Sequence, residues 1–128
     1  MRIQTIIRGL LACLLLSVAV AQVSVAESMD GFDATRAGDY KTALKFWQQR
    51  ADHGDAQAQF NLALMYHGGL GVKASETEAV KWYQKAAEND SELAQEYLAV
   101  GYQEGWFGLK RDRKKSDYWY KRLSQHDF

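Results

Sequence analysis

The sequence predicts an all-α chain, an α-solenoid of stacked helix pairs, and three observations carry that expectation. The chain overlays on itself at a spacing in the thirties, it contains no proline, and helix-capping residues return at the same place in each period. Ala43, Trp47, Ala51, Ala58, Leu62, Tyr66 and Gly69 fall on Ala79, Tyr83, Ala87, Ala94, Leu98, Tyr102 and Gly105, a shift of 36. Gly71, Val72, Lys73, Trp82 and Tyr83 then fall on Gly108, Leu109, Lys110, Trp119 and Tyr120, a shift of 37, which places a one-residue insertion at Trp106–Phe107. A unit of this size cannot bury its apolar face alone and does so against its neighbours.

Residues 1–26 are expected to be a signal peptide rather than part of the fold. Arg2 and Arg8 form a positive start, Leu10 to Val20 is an apolar run interrupted by Ser17, and small residues follow at Ala19-Val20-Ala21 and Ser24-Val25-Ala26. The second site leaves the better spacer after the apolar run. A spanning helix needs about 20 apolar residues, so a membrane anchor is the weaker reading. Cys13 lies inside the run and is the chain's one cysteine, so cleavage at either site removes it. A mature chain without cysteine has neither a disulfide nor a thiol nucleophile, and an apolar core must hold it together.

Residues 27–42 form a leader with a short helical turn near 32–37 and the start of the first helix. The repeat domain covers 43–128, with repeats at approximately 55–90 and 91–127. Its helices are expected at 40–53, 56–67, 76–89, 92–104 and 113–125. Asp39, Ser75 and Asp112 share one position of the period, where a side-chain oxygen can accept from an unpaired helical N–H, and Asp55 and Ser91 serve the other helix of each pair. Ser75 with Glu78 spells a capping box. Gly54 and the Gly68–Gly69 pair stand where helices must stop. Alanines at 58, 63, 86, 87, 94 and 99 let helices approach closely, while Trp47, Trp82, Tyr66, Tyr102 and Trp119 fill the space between pairs.

Chemistry has little to stand on in these residues. Sixteen basic residues balance sixteen acidic ones, which argues against a nucleic-acid partner. The basic segment Lys110–Lys115 reads as a solvated loop entering the last helix, with weak attraction to an anionic surface as the competing account. His53, His67 and His126 lie in different elements without metal-ligand spacing, so no metal or cofactor is expected. The run His67 to Gly71 is glycine-rich but follows a helix, unlike a phosphate-binding loop. No enzyme activity is expected; a hydrolase is the remote alternative.

The pattern Ala56-Gln57-Ala58-Gln59, Leu62, Tyr66, Gly69, Gly71-Val72, Ala79, Trp82-Tyr83 and Ala86-Ala87, repeated as Ala94-Gln95, Leu98, Tyr102, Gly105, Gly108-Leu109 and Trp119-Tyr120, resembles the Sel1-like repeat, a relative of the tetratricopeptide repeat. The leader Gly31 to Leu44 resembles the N-terminal part of bacterial members. The chain departs from the pattern in having Ala63 and Ala99 where the family places glycine, with Gly101 two positions later, and Ser116, Leu123 and Ser124 where it places alanine. The resemblance implies a superhelix whose first helix in each pair lines a concave groove holding protein segments. It also implies a role as adaptor, envelope regulator or immunity-type partner.

On that reading the helices near 56–67 and 92–104 line the groove. Ala58, Leu62, Tyr66 and Ala94, Leu98, Tyr102 face the core, which leaves an opposite stripe of Gln57, Phe60, Asn61, Leu64 and His67 with Leu93, Glu96, Tyr97, Val100 and Gln103. Residues three or four apart share a helical face, so the apolar members would form one patch edged by polar groups. Such a patch suits a protein partner, whose identity the sequence does not give. The competing account covers it with a neighbouring helix or with the leader around Phe32. Self-association into a homo-oligomer is the alternative role. The expected location is the periplasm, with secretion as the alternative, and no stable membrane anchor after signal cleavage.

Overall fold

The computed structural model describes residues 30–126, and among these six helices follow one another with short connections and no strand. They are α1 (Gly31–Arg36), α2 (Tyr40–Asp52), α3 (Ala56–Gly68), α4 (Glu76–Glu88), α5 (Glu92–Glu104) and α6 (Arg113–Leu123). The expected helices are all present with the expected starts, and α6 stops at Leu123, short of the expected 125. The signal peptide expected over 1–26 lies outside the described residues. Among the described residues no helix is long and apolar enough to cross a membrane.

Each start is fixed by the side chain the sequence places there. Asp39, Asp55, Ser75, Ser91 and Asp112 each accept a bond from the amide three residues on, at 3.0–3.3 Å. The capping box at Ser75 is only half formed. Ser75 Oγ accepts from the Glu78 amide, but the Glu78 carboxylate turns to Lys81 Nζ at 2.8 Å and the Ser75 amide donates to the Tyr66 carbonyl. The reciprocal bond is lost because the loop into α4 is already tied to α3.

That tie is part of the repeat. The Asp112 amide donates to the Tyr102 carbonyl one period later, and both bonds measure 2.9 Å. A second recurring bond joins successive hairpins. Gln59 Nε2 donates to the Ala51 carbonyl at 3.1 Å and Gln95 Nε2 to the Ala87 carbonyl at 3.0 Å, each glutamine buried at the end of the preceding helix. Each of these carbonyls also accepts from the amide three residues on, that of Gly54 or Asp90, so the glutamine uses its second lone pair to tie the helix end to the next helix.

Every helix packs on the one before and the one after it. Ala58, Ala63, Ala86, Ala87, Ala94 and Ala99 are wholly buried, so the backbones approach closely where the sequence is smallest. Trp47, Trp82, Tyr102 and Trp119 fill the intervening space as expected, whereas Tyr66 is only half-buried. Gly71 is required by its position: its φ is +69°, and a Cβ there would sit 2.5 Å from the Tyr40 carbonyl oxygen, where the α3–α4 loop crosses the start of α2. Gly101, the glycine displaced from the family position, seats Leu109, whose Cδ1 would meet an added Cβ at 2.9 Å. The displacement therefore serves the loop that returns over α5.

Candidate functional site

α3 and α5 are the helices whose outer sides meet across one face. Phe60 on α3 and Tyr97 on α5 contact edge to face at 6.5 Å, and His67 lies edge-on to Tyr97 at 6.3 Å with its Nδ1 3.5 Å from the Tyr97 hydroxyl. Tyr97 is the centre of the face. Its ring stacks on Tyr83 of α4 at 4.3 Å on one side and on Phe107 at 4.5 Å on the other. Burial pushes the Tyr83 phenol well above its usual range, and the Tyr97 hydroxyl adds to that rise although the pair does not reach hydrogen-bond geometry.

Phe107 comes from the one-residue insertion. Trp106 to Leu109 is a tight turn closed by the Leu109 amide on the Trp106 carbonyl at 2.9 Å, and both central residues, Phe107 and Gly108, are left-handed with φ of +56° and +71°. Asparagine or glycine normally fills the first of these positions, and holding a bulky residue there costs on the order of 1–3 kcal/mol. The Phe107 ring offsets this by stacking on Tyr97 and meeting His67 edge-on at 4.6 Å, contacts worth about 0.5–1.5 kcal/mol each. The strained backbone thus holds an aromatic wall against α5.

Beside that wall lies a cavity of about 210 Å³, lined by Phe60, Leu93, Glu96, Tyr97, Val100, Trp106 and Phe107. The structure therefore brings together five of the residues expected in the groove: Phe60, Leu93, Glu96, Tyr97 and Val100. Leu93 and Leu64 are 53% and 40% exposed, open to any partner. Three expectations are corrected. Phe60 is only 9% exposed, because its ring packs on Tyr83 at 5.6 Å as well as on Tyr97; it is a core residue with one edge on the cavity. Tyr97 and Val100 are half-buried rather than exposed, Tyr97 by its place between two rings. Gln103 belongs to another surface, where it accepts from the Tyr120 hydroxyl at 3.1 Å on the side facing α6.

The remaining residues edge the face. Gln57 Nε2 donates to Asn61 Oδ1 at 3.4 Å, and Asn61 Nδ2 is buried without a partner among the described residues. The face is partly covered from within the chain, by the Trp106–Phe107 turn. Phe32, offered by the sequence as the cover, instead packs edge-on against Trp47 at 4.7 Å. The sequence marked the insertion but could not show that its phenylalanine folds back over Tyr97.

The other features are structural. His53 ends α2 with its Nδ1 2.7 Å from the Gln49 carbonyl. Among the described residues no group of three or more His, Cys, Asp or Glu side chains is placed to hold a metal ion. A larger depression of about 600 Å³ between α5 and α6 is more polar and includes the Arg113–Asp117 pair at 3.9 Å, which is mostly exposed. In the basic segment, Arg111 Nε donates to the Glu104 carbonyl at 3.2 Å and Lys115 Nζ lies over the Tyr102 ring at 5.1 Å.

Known proteins share this architecture. The Sel1 repeat family model matches residues 19–55, 56–91 and 93–128. Its first segment takes in α2, which the sequence alone counted as a leading helix. The chain is 36% identical, with a TM-score of 0.61, to the crystal structure of c5321, a protective antigen of uropathogenic Escherichia coli displaying an SLR fold, over 70% of this chain and 19% of that one. It is 37% identical, with a TM-score of 0.62, to a Sel1 repeat protein from Oxalobacter formigenes, over 67% of this chain and 35% of that one. DAP3-binding cell death enhancer 1 of Rattus norvegicus is 45% identical over 60 residues, 47% of this chain. Protein sel-1 homolog 2 of the same species is 39% identical over 98 residues, 63% of this chain. The chain spans only 12% and 14% of these two relatives. A repeat pattern legible in the residues, the helical hairpins that pack as it requires, and three consecutive family matches agree: the chain belongs to the Sel1 repeat family.

Proposed function

We propose that this protein is a non-catalytic binding module of the bacterial envelope that holds a segment of another protein on the α3–α5 face. Sel1 repeats generally mediate protein–protein interaction, and their fold is typically a scaffold without catalytic groups. One of the relatives is named for binding DAP3. The observation that carries the reading is exposed Leu93 at a preformed apolar cavity, with exposed Leu64 one helical turn along α3 from Phe60, which also lines it. Export through residues 1–26 would place the face in the periplasm, where it would serve as adaptor, regulator or immunity-type partner. A mature chain beginning at Glu27 supports that location; retention of the apolar run in the purified protein argues against it.

Leu64→Asp with Leu93→Asp tests the face without touching the core. Tyr97 is unsuited to this purpose, because a charge there would break the stack on Tyr83 and Phe107. Affinity capture from the native envelope should recover a partner with the wild-type chain and lose it with the double variant, while the melting temperature stays within a few degrees. Partner capture undiminished by the double variant would sink the reading.

Self-association is favoured by one observation. Tyr118 and Tyr120 expose 52% and 39% of their surface on α6, and Tyr120 occupies the repeat position at which Tyr83 is wholly buried by the following hairpin. A melting temperature that rises with protein concentration supports this second reading, and a constant one removes it.

A further inference from the structure

We infer that the cavity beside Trp106 is an anchor site for one basic side chain of the bound segment, an arginine or lysine set among apolar residues. The inference rests on the α3–α5 face being the binding face. At about 210 Å³ the cavity is smaller than the usual small-molecule site and has room for a single side chain. Its walls are aromatic and aliphatic, and the one charged group lining it is the Glu96 carboxylate, with no lysine or arginine among the lining residues. A long side chain with an apolar stem and a cationic head matches that distribution: the stem lies against Leu93 and Val100, and the head reaches Glu96.

Two further observations point to a cation. Four aromatic rings lie under the chain's own positive charges, Arg50 over Phe46 at 5.3 Å, Lys85 over Trp82 at 4.2 Å, Lys115 over Tyr102 at 5.1 Å and Arg122 over Trp119 at 5.7 Å; of the exposed rings without such cover among the described residues, Phe32, Trp106, Tyr118 and Tyr120, Trp106 is the one that lines the cavity. Trp106 is 51% exposed and has no such cover among the described residues. Glu96 has no ion-pair partner among them, as is also true of Glu88, Glu92 and Glu104, but it is the carboxylate that lines the cavity. An indole and a carboxylate lining one cavity, neither paired with a positive charge among the described residues, form the complement of a guanidinium or ammonium group. The left-handed Phe107 supplies the pre-organisation, since the turn it strains is the one that presents Trp106.

The test is selection from a displayed library of short peptides against the purified protein, with Glu96→Gln, Trp106→Ala and the Leu64→Asp, Leu93→Asp variant in parallel. Glu96 and Trp106 are exposed, and thermal melting confirms that their variants remain folded. The expected result is a wild-type pool enriched in arginine or lysine next to apolar residues, lost on the leucine double variant. For the best synthetic peptide, Glu96→Gln and replacement of its basic residue by neutral citrulline or glutamine should each weaken binding about fivefold, and together little more than either alone. Peptides that need Leu64 and Leu93 but show no basic preference, or an acidic one, would overturn the anchor site and leave the binding face standing. A pool that binds the leucine double variant equally well, or no enriched pool at all, would overturn both.

Discussion

Gln59 and Gln95 occupy equivalent positions yet are not equally satisfied. Both donate to a helix-end carbonyl, but Gln59 Oε1 also accepts from Asn89 Nδ2 at 2.9 Å, whereas Gln95 Oε1 is buried without a partner among the described residues. A buried acceptor that loses its water and gains no donor contributes nothing to offset its desolvation. Gln59→Leu should therefore cost about 1 kcal/mol more than Gln95→Leu, read by chemical denaturation with unchanged m-values. Equal losses would show that the Asn89 bond adds nothing. The recurring Ala-Gln pair was visible in the sequence, but the partner of each glutamine was not, because the acceptor lies on a different helix.

At the scale of the element, the caps govern how the helices respond to acid. The Asp39 carboxyl is held below its usual range by the Thr42 side chain and amide, and that of Asp55 chiefly by the Ala58 amide, with help from Arg50. Carboxylates that bind protons less readily when folded stabilise the fold fully above the unfolded value, near pH 3.9, and lose that contribution as the pH falls through their lower folded values. Asp55→Asn keeps an acceptor at the cap but removes the titration. Its melting temperature should fall less steeply than wild type between about pH 4 and pH 2. A parallel acid profile for the two chains would mean that α3 starts independently of this charge. Caps and stops were legible because they are local: five capping side chains, named from spacing, all make the expected bond. The capping box failed at its second half because the Ser75 amide is claimed by Tyr66, a contact that local pattern does not encode.

For the whole molecule, stability is a chain of neighbour contacts, since each helix rests on the ones adjacent in sequence. Trp119, 7% exposed, is the main apolar attachment of α6 to α5. Trp119→Ala should cost about 3–5 kcal/mol and lower the melting temperature by more than about 10 °C. Hydrogen exchange should quicken first in α6 and α5, with α2 and α3 retaining protection. Uniform loss of protection across all helices would show instead that the chain unfolds as one cooperative unit.

By itself the sequence determined the helical repeat, its register, the caps and most of the buried aromatics, because these depend on spacing within one helix and on identity between two copies. Tertiary structure alone decided what lines the proposed binding face. Whether Phe60 lies on a surface or in a core depends on what arrives from elsewhere in the chain, and Tyr83 and Tyr97 arrive. The insertion at Trp106–Phe107 read as a single added residue; folding turned it into the wall of a cavity, because a left-handed turn sends one ring back onto α5 and leaves the other facing solvent.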